Sequence, residues 1–467
     1  MSASVGDKDP DLVARAAYSR LRGAHLHAVR AALEDHLGRL DWPRERIERY
    51  RDQRLRALLA HARERSPFHA RRLRDLDPSS ATVADLARLP VMTKQEAQQN
   101  WDSIVTAPGL DRERAERILA EQRWFSYTQE GQQIFCSGGS SGVRGVYVWD
   151  WDLFVSAACL AWRMQAWQER RDPPLRQQAR LAVLEAGEPP HASTPLFDVA
   201  TAAGMETVVV PASAPFDEVV AAVSAARPTH LVGYATVVGR LARAATAGDV
   251  DIRPVRVSTN SEPLLDEDRR AIAEAWNVPV NNLWGSTEIG VQAVGCGRAA
   301  GLHVCEDEVV LERIDENGAP VAPDQPATHT LATGLANRTF PFIRYDLGDQ
   351  VTVLPGKCPC GSEFVRLADI AGRLDDDFHY PTCTVAASVF RYVLGTDARI
   401  SEYQVQQTPT GARILVVGSP DVPALTGAVA AALHSHGLPD AQVQVQVVDQ
   451  LQRHVGTGKL RRFVALK

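Results

Sequence analysis

A short loop between residues 135 and 145 has the composition of a phosphate-binding turn. Six consecutive positions hold only serine and glycine: Ser137, Gly138, Gly139, Ser140, Ser141 and Gly142. Glycines let a backbone turn its N–H groups toward one point, and serine hydroxyls add further donors, so this loop can wrap a polyphosphate. The alternative is an ordinary glycine-rich hairpin turn, because a lone glycine loop is a weak signal.

A lysine near the end of the chain is a second candidate for chemistry. Lys459 follows Gly456, Thr457 and Gly458, and it precedes further basic residues. A lysine with an ordinary pKa of about 10.4 supplies a positive point charge to a phosphate without any activation. The alternative is a solvated basic tail, which is the interpretation we favour for the arginines that follow.

Cysteine and histidine form a third constellation, in a segment between residues 296 and 360. Cys296, His303, Cys358 and Cys360 supply three thiolates and an imidazole, which fit a closed tetrahedral zinc site of the structural kind. Cys305 competes with Cys296 for one position, and a group of buried, metal-free cysteines is the alternative. The remaining cysteines, Cys136, Cys159 and Cys383, have no evident ligand partners and are predicted to be small core residues. For Cys136 the alternative is a residue that is merely adjacent to the glycine-serine loop.

Length, charge and composition narrow the functional class. A chain of 467 residues favours two or more domains. A formal charge of −6 offers no broad basic surface, so nucleic acid is not expected as a partner. No apolar run of about 18 residues and no signal-peptide pattern is found, so we expect a cytoplasmic protein without a membrane partner. The odd number of cysteines, seven, favours reduced thiols or metal over disulfides. The sequence gives no sign of the oligomeric state.

The elements that must position these groups follow an α/β pattern. Residues 11–75 have helical spacing, interrupted near residues 41–43. Between residues 150 and 290, helical stretches alternate with short β-branched runs, which predicts mixed or parallel sheets covered by helices. Ligands bind at the carboxyl ends of such strands. The candidate ligand-binding loops are therefore those at 233–236, 258–263 and 283–288. From about residue 374 the pattern changes to that of a small α+β unit.

Six motifs, taken in order, carry a resemblance to a known family. They are the loop at 137–142, Asn-Ser-Glu-Pro-Leu at 260–264, Asn-Leu-Trp-Gly-Ser-Thr-Glu at 282–288, Arg-Tyr-Asp-Leu-Gly-Asp at 344–349, Gly-Arg-Leu-Asp-Asp at 372–376 and Gly-Thr-Gly-Lys at 456–459. Their order and spacing resemble the adenylate-forming superfamily. Residues 59–68 and 89–94 also resemble the N-terminal region of its phenylacetate–CoA ligase branch, so the similarity spans nearly the whole chain.

The resemblance implies a reaction and a domain plan. The reaction is ATP-dependent activation of a small aromatic carboxylic acid as an acyl-adenylate, with release of pyrophosphate, followed by transfer to coenzyme A. The plan is a large adenylating domain over residues 1–373 and a mobile lid over residues 374–467, which rotates at Asp375. Mg²⁺ is the expected cation beside ATP, and a carrier protein is a possible partner.

The resemblance also assigns roles to individual residues. The 137–142 loop would hold the β- and γ-phosphates, and Thr287 and Lys459 would contact the reacting α-phosphate. Asn282 would bind the adenine amino group, Trp284 would lie against the adenine ring, and Asp349 would bind the ribose hydroxyls. Glu288 would bind the Mg²⁺, and Arg373 would lie near the ribose and phosphate. Further nucleotide contacts are expected from Ser261, Glu262, Pro263, Leu283, Gly285 and Ser286. The expected acid pocket comprises Tyr234, Ala235, Thr259, Gly290 and Val291.

Two departures from the family pattern keep other functions open. The phosphate loop continues with Val143 and Arg144, where many members have proline and lysine. Residues 377–381 lack the Lys-x-x-Gly that often follows the hinge and shapes the thioester-forming face. This weakens the expectation for coenzyme A without touching adenylation. The alternatives are an adenylating enzyme with an amine or a carrier-protein thiol as acceptor, and a catalytically silent nucleotide-binding homologue.

Overall fold

A computed structural model describes residues 10–122, 127–128, 130–137, 145–171, 179–186, 191–323, 325, 327–370, 376–395, 397, 399–454 and 458–466. At residues 10–15, 194, 198, 202 and 388 it describes the backbone alone.

Helices dominate the first 120 residues, as their periodicity predicts, and later cover a sheet. They are α1 (Pro10–Arg39), α2 (Arg44–Arg65), α3 (Pro67–Arg72), α4 (Lys94–Gln99), α5 (Trp101–Ile104), α6 (Arg112–Glu121), α7 (Trp151–Arg171), α8 (Asp198–Ala202), α9 (Phe216–Ala226), α10 (Ala235–Ala247) and α11 (Asp266–Trp276), with 3-10 turns at Val83–Arg88 and Thr194–Phe197. The predicted break near residues 41–43 separates α1 from α2. Thr93 caps α4, and its hydroxyl accepts from the Glu96 amide at 3.1 Å.

The largest sheet has nine strands in the order β13-β14-β9-β8-β7-β6-β5-β3-β4. Its members are β3 (Arg180–Glu185), β4 (Glu206–Pro211), β5 (His230–Tyr234), β6 (Arg256–Asn260), β7 (Val280–Ser286), β8 (Gly290–Gly295), β9 (Leu302–Val304), β13 (Val353–Leu354) and β14 (Arg366–Leu367). Strands β3 to β7 pair in parallel, and β7, β8, β9, β14 and β13 pair antiparallel. The predicted mixed α/β architecture is confirmed.

Smaller sheets flank the nine-stranded one. β1 (Gln133–Ser137) and β2 (Gly145–Trp149) form an antiparallel hairpin around the predicted phosphate loop. β10 (Val309–Ile314), β11 (His329–Gly334) and β12 (Tyr345–Asp346) form an antiparallel sheet of three strands. Within the described ranges, no helix combines the length and apolar character needed to cross a bilayer.

The C-terminal part has its own hydrophobic core. It comprises β15 (Phe378–His379), β16 (Thr384–Val385), α12 (Ala387–Leu394), β17 (Ile400–Thr408), β18 (Gly411–Gly418), α13 (Val422–Ser435), β19 (Gln442–Val447) and β20 (Phe463–Val464). A sheet in the order β19-β18-β17-β20 packs its buried face, including Val405 and Ile414, against Phe390 of α12 and Leu433 of α13. We call residues 376–466 of this part the lid. The predicted boundary at 373/374 and the hinge residue Asp375 lie outside the described residues.

Ion pairs and a hydrogen bond connect the lid to α10 and α11, the helices that follow β5 and β6. The prediction of a solvated tail is wrong for Arg462, whose buried guanidinium donates to Asp268 on α11 at 2.7 Å. Arg243 on α10 donates to the other oxygen of Asp268 at 2.9 Å. Arg270 donates to the Gly395 carbonyl at 2.8 Å. Breaking a buried pair leaves a charge without its partner, which is costly, so these contacts hold the lid in one orientation.

Candidate active site

Polar side chains from four parallel strands meet at the carboxyl edge of the large sheet, as the strand pattern predicts. Asn260, at the end of β6, donates to Glu185 at the end of β3 over 2.5 Å. The Tyr234 hydroxyl, at the end of β5, accepts from the Ala186 amide at 3.1 Å. Thr259 donates to Asn282 of β7 at 3.1 Å. These bonds make one continuous polar edge out of separate loops.

Glu288 lies beyond β7, and two tyrosines hold it. The hydroxyls of Tyr147 and Tyr345 donate to its Oε1 at 2.8 and 3.0 Å. Burial, reinforced by the Glu288 charge, raises the pKa of both tyrosines, so they remain protonated donors. The Thr287 carbonyl accepts from the Trp149 indole at 2.7 Å, which fixes the turn that carries both predicted residues. A carboxylate oriented in this way suits a hard cation.

The predicted nucleoside-binding residues are linked to each other. The Trp284 indole N–H donates to Asp349 Oδ2 at 3.1 Å, and both side chains are buried. The Asn282 amide donates to Asp369 at 3.0 Å. Ser286 ends β7, and its hydroxyl accepts from Gln292 at 3.0 Å. Asn282, Trp284, Ser286 and Asp349 therefore share one region, and Leu283 and Gly285 belong to the same strand.

Lys459 lies over this edge. Its ammonium is 5.1 Å from the centre of the Tyr234 ring, within cation–π range. Its charge also affects Glu185 and His191. Burial raises the pKa of Glu185, and the lysine opposes that shift. Burial together with the lysine lowers the pKa of His191 to about 4. The docked lid thus carries the distant lysine to the site that the strand ends form.

Some predicted site residues lie outside the described residues. They are Gly138, Gly139, Ser140, Ser141, Gly142, Arg144, Arg373 and Asp375. Ser137, the first residue of the phosphate loop, ends β1.

Sequence reasoning missed a second lysine at the phosphate loop. Lys94, in the first turn of α4, donates to the Ser137 hydroxyl at 3.2 Å. The sequence shows Thr93 and Lys94 as the entry to a capped helix, which is true of the backbone but gives no hint that the Lys94 side chain reaches β1. This cation lies beside the loop that lacks the usual Pro-Lys pair. Glu185, His191, Tyr147 and Tyr345 were missed as well.

The comparisons with known proteins agree with this geometry. No protein-family model matches the chain. The phenylacetate–coenzyme A ligase of Thermus thermophilus is 26% identical over 345 residues, covering 72% of each chain. Among solved structures, 2-hydroxyisobutyryl-CoA ligase in its postadenylation state superposes with a TM-score of 0.70 over 91% of this chain and 90% of that one, at 18% identity.

In sequence the chain is similar to ligases of the phenylacetate–CoA ligase branch, and in fold to adenylate-forming ligases, as its motifs predict. It is an adenylate-forming ligase. The 2-hydroxyisobutyryl-CoA ligase in its thioesterification state superposes less well, with a TM-score of 0.57. The amide bond synthetase McbA of Marinactinospora thermotolerans, at 16% identity, has a TM-score of 0.50 over 69% of this chain and 66% of its own.

All five predicted acid-pocket residues of the ligase are buried. Tyr234, Ala235 and Thr259 sit at the ends of β5 and β6. Gly290 begins β8 with φ +90°, and a Cβ there would lie 3.2 Å from Leu153, so only glycine fits. Val291 follows it in the core. A cavity of about 40 Å³ lies beside Thr259. That is far below the roughly 150 Å³ that holds a benzene ring, so this cavity is no aromatic-acid pocket in the observed conformation.

The ligase also brings the predicted thiol and imidazole groups together. The ligand atoms of Cys296, His303, Cys358 and Cys360 all lie within 4.8 Å of one another. The sulfurs of Cys296 and Cys358 are 3.5 Å apart, and Cys360 Sγ is 3.4 Å from His303 Nε2. Around a tetrahedral zinc, two thiolates bound at about 2.3 Å lie about 3.8 Å apart, so the spacing fits. The other ring nitrogen, Nδ1, lies 3.3 Å from the Phe364 carbonyl.

Cys305 is excluded from this cluster, which resolves its competition with Cys296. It is fully buried next to the Arg163–Asp307 ion pair, and burial raises the pKa of its thiol to about 12. Its thiol hydrogen-bonds Arg163, whereas the Cys296 sulfur lies 3.5 Å from that of Cys358, so it is Cys296 that the geometry places in the cluster.

Proposed function

We propose that the ligase activates a small carboxylic acid, of the aromatic class, by joining it to AMP and then transfers the acyl group to coenzyme A. The observation that carries this proposal is the position of Lys459, which the docked lid holds 5.1 Å above Tyr234 at the edge where the strand ends converge. A carboxylate is a poor electrophile, so its activation needs a site that neutralises charge developing on the α-phosphate. A fixed ammonium meets that need.

Each task of this reaction then has a candidate in the chain. Ser137 and the residues after it, with Lys94 beside them, would hold the β- and γ-phosphates. Glu288, oriented by Tyr147 and Tyr345, would hold Mg²⁺, which offsets negative charge on the phosphates. Thr287 would donate to the α-phosphate, and Asp349 would accept from the ribose hydroxyls. Ser261, Glu262 and Pro263, in the turn after β6, would line the nucleotide site from the other side.

The identity of the acceptor is the second part of the proposal, and one comparison supports an alternative. The amide bond synthetase McbA shares the fold, and residues 377–381 lack the family's usual thioester-forming pattern. An amine acceptor, or the thiol of a carrier protein, is therefore the second candidate function. A silent nucleotide-binding homologue is disfavoured, because Lys459, Glu288 and Asp349 all lie at one edge.

An acid panel tests the proposal directly. Full-length enzyme, ATP and Mg²⁺ are mixed with aromatic and aliphatic acids, and AMP and pyrophosphate are measured. Parallel reactions receive coenzyme A, a small amine or neither, and mass spectrometry identifies the products. We expect AMP formation with at least one aromatic acid and an acyl-CoA product. Amide products with no thioester would support the alternative, and a failure of every acid in the panel to yield AMP would contradict adenylation.

We further propose that Cys296, His303, Cys358 and Cys360 hold a structural Zn²⁺. Four protein ligands close the coordination shell, so the ion would stabilise the fold and would take no part in the reaction. The segment between residues 296 and 360 would be joined at its two ends by this ion. Reduced thiols are typical of the cytoplasm, which we propose as the location of the enzyme. We also propose residues 1–373 and 374–467 as the two domains, with rotation at Asp375.

A further inference from the structure

The backbone around Lys459 is held by bonds on both sides. The Gly458 amide donates to the His454 carbonyl at 2.8 Å, and the His454 amide donates to the Lys459 carbonyl at 3.0 Å. On the other side, the Leu460 amide leaves the lid and donates to Glu262 Oε1 at 2.9 Å. Glu262 belongs to the core, so this bond joins the two parts of the molecule one residue after the lysine.

The second oxygen of Glu262 is bound to the core. Oε2 accepts from the Thr236 amide at 3.0 Å and from the Thr236 hydroxyl at 2.7 Å. The same hydroxyl accepts from Arg453 of the lid at 2.7 Å, and Arg453 also donates to the Gly458 carbonyl at 3.3 Å. These hydrogen bonds run from Arg453 of the lid through Thr236 and Glu262 of the core to Leu460 of the lid. They therefore connect the lid to the core on both sides of Lys459.

Local structure explains why Glu262 serves this purpose. Thr236 is in the first turn of α10, whose free amides and helix dipole favour a carboxylate at that end. Ser261 has φ +60°, a left-handed conformation that turns the chain sharply after β6 and directs Glu262 away from the strand. Thr236 is 2% exposed, so its hydroxyl is shielded from water, and losing a partner there carries a full desolvation cost.

We propose that Glu262 and Thr236 are positioning residues that fix the lid in its adenylation orientation and so set the place of Lys459. The inference rests on the proposed function, and it gives the Glu262 carboxylate a task beyond the nucleotide contact expected from the sequence. The bond from Leu460 must break when the lid rotates for the transfer step. The bonds that Glu262 and Thr236 make to the lid therefore serve the first half-reaction alone.

Two variants test this role, each with a small change in shape. Glu262→Gln keeps the size but cannot accept from Leu460 and from Thr236 with both oxygens. Thr236→Val keeps the branched shape and removes the hydroxyl between Arg453 and Glu262. We expect each to slow acid-dependent exchange of pyrophosphate into ATP by about 10- to 100-fold, as lost bonds to a charged group imply. For Thr236→Val, which changes no predicted nucleotide contact, transfer from a synthetic acyl-adenylate to the acceptor should stay within about twofold of wild type.

A control and an activity-independent measurement complete the design. Glu274→Gln is the same substitution at an exposed position on α11, and it should leave both half-reactions unchanged. Limited trypsin digestion measures lid docking without any substrate. Cleavage after Lys459 and Arg461 should be faster in both test variants than in wild type or in Glu274→Gln.

The outcomes separate this inference from the proposed function. Equal losses in both half-reactions would indicate a merely structural role and would overturn the inference. Unchanged pyrophosphate exchange together with unchanged trypsin cleavage would also overturn it. If wild-type enzyme adenylates no acid, the proposed function fails, and the digestion still decides whether Glu262 and Thr236 hold the lid.

Discussion

Glu288 shows how much of a site depends on residues that lie outside its motif. Both tyrosine hydroxyls donate to Oε1, so the other oxygen, Oε2, is the one that we expect to meet a cation. Tyr147 also hydrogen-bonds Ser137, so the Glu288 carboxylate and the start of the predicted phosphate loop share one partner. The position of Glu288 is therefore coupled to the loop that would hold the phosphates.

Tyr345→Phe tests this coupling. Removing one of its two donors leaves Glu288 Oε1 bonded to Tyr147 alone and weakens the orientation of the carboxylate, so we expect pyrophosphate exchange to fall by about 3- to 10-fold, the effect of one net hydrogen bond. The Mg²⁺ concentration for half-maximal exchange should rise. Tyr392→Phe is the matched control, because that side chain is 79% exposed. An unchanged Mg²⁺ dependence in Tyr345→Phe would contradict the assigned role.

Sequence reasoning at this scale found the residues that lie within motifs. It identified Asn282, Glu288, Asp349 and Lys459 because each occurs in a recognisable string. It missed Lys94 and Tyr147, whose side chains reach the site across long sequence separations. A helix cap or a strand residue carries no local sign of such a contact. The same limit explains why Glu262 was expected to bind nucleotide alone.

At the scale of elements, the turn that carries Lys459 depends on a glycine. Gly458 has φ +70°, and a Cβ there would lie 2.4 Å from the Ala212 carbonyl carbon in the loop after β4. An L side chain is strained in that conformation, and it would also push the lid off the core. The glycine is thus required both by its own backbone and by the docking of the lid.

Gly458→Ala should therefore impair docking more than folding. We expect pyrophosphate exchange to fall at least about 10-fold while the melting temperature changes by no more than about 3 °C. Gly427→Ala in α13 of the lid is the control, because nothing lies within 4 Å of a Cβ there and alanine favours a helix. If Gly458→Ala and Gly427→Ala exchange pyrophosphate equally well, the account of lid docking is wrong.

The segment between residues 296 and 360 gives a prediction about metal. Purified enzyme should contain about one zinc per chain. Cys358→Ser should lower the zinc content to less than about 0.2 per chain, and it should lower the melting temperature. Plasma emission spectrometry measures the metal, and Cys383→Ser in the lid is the control. Equal zinc content in both variants would exclude the assigned ligands.

Sequence patterns predicted the long elements of the ligase better than the short ones. The alternation between residues 150 and 290 predicted β3 to β6, although β6 runs from Arg256 to Asn260 and so includes the first three residues of the loop expected at 258–263. Two-residue strands such as β12 to β16 are too short to show any periodicity. They form because tertiary packing brings the strands together, as when β12 pairs with β11.

At the scale of the whole molecule, buried histidines predict acid sensitivity. Burial lowers the pKa of His25 to about 4 and that of His36 and His69 to about 3, whereas all three titrate near 6.5 when unfolded. The folded pKa lies below the unfolded one, so the neutral form stabilises the native state above pH 6.5. That contribution is lost as the pH falls toward 4.

We therefore expect the free energy of unfolding to fall by about 2 kcal/mol per buried histidine between pH 7.5 and pH 5.0. Urea unfolding at several pH values measures it. Because carboxylates also titrate, the test is comparative: His69→Gln should show a shallower loss below pH 6.5 than His434→Gln, whose side chain is exposed. Identical slopes would contradict the assignment.

The arrangement of lid and core is the other property of the whole molecule. The superposition on 2-hydroxyisobutyryl-CoA ligase is better in its postadenylation state than in its thioesterification state, with TM-scores of 0.70 and 0.57. In this structure the lid presents Lys459 to the core, with its ammonium 5.1 Å from the centre of the Tyr234 ring. The sequence predicted that such a lid exists, but its orientation depends on contacts between distant residues, such as Arg462 and Asp268, that no local pattern encodes.

Acid-dependent exchange of pyrophosphate into ATP is the most direct test of this placement of Lys459. Wild-type enzyme should exchange label in the presence of an accepted acid, and Lys459→Ala should lose at least about 100-fold of that rate, as removal of a charge from a developing phosphate centre implies. Arg461→Ala, which removes an exposed neighbouring charge, should retain it. Undiminished exchange in Lys459→Ala would contradict the account.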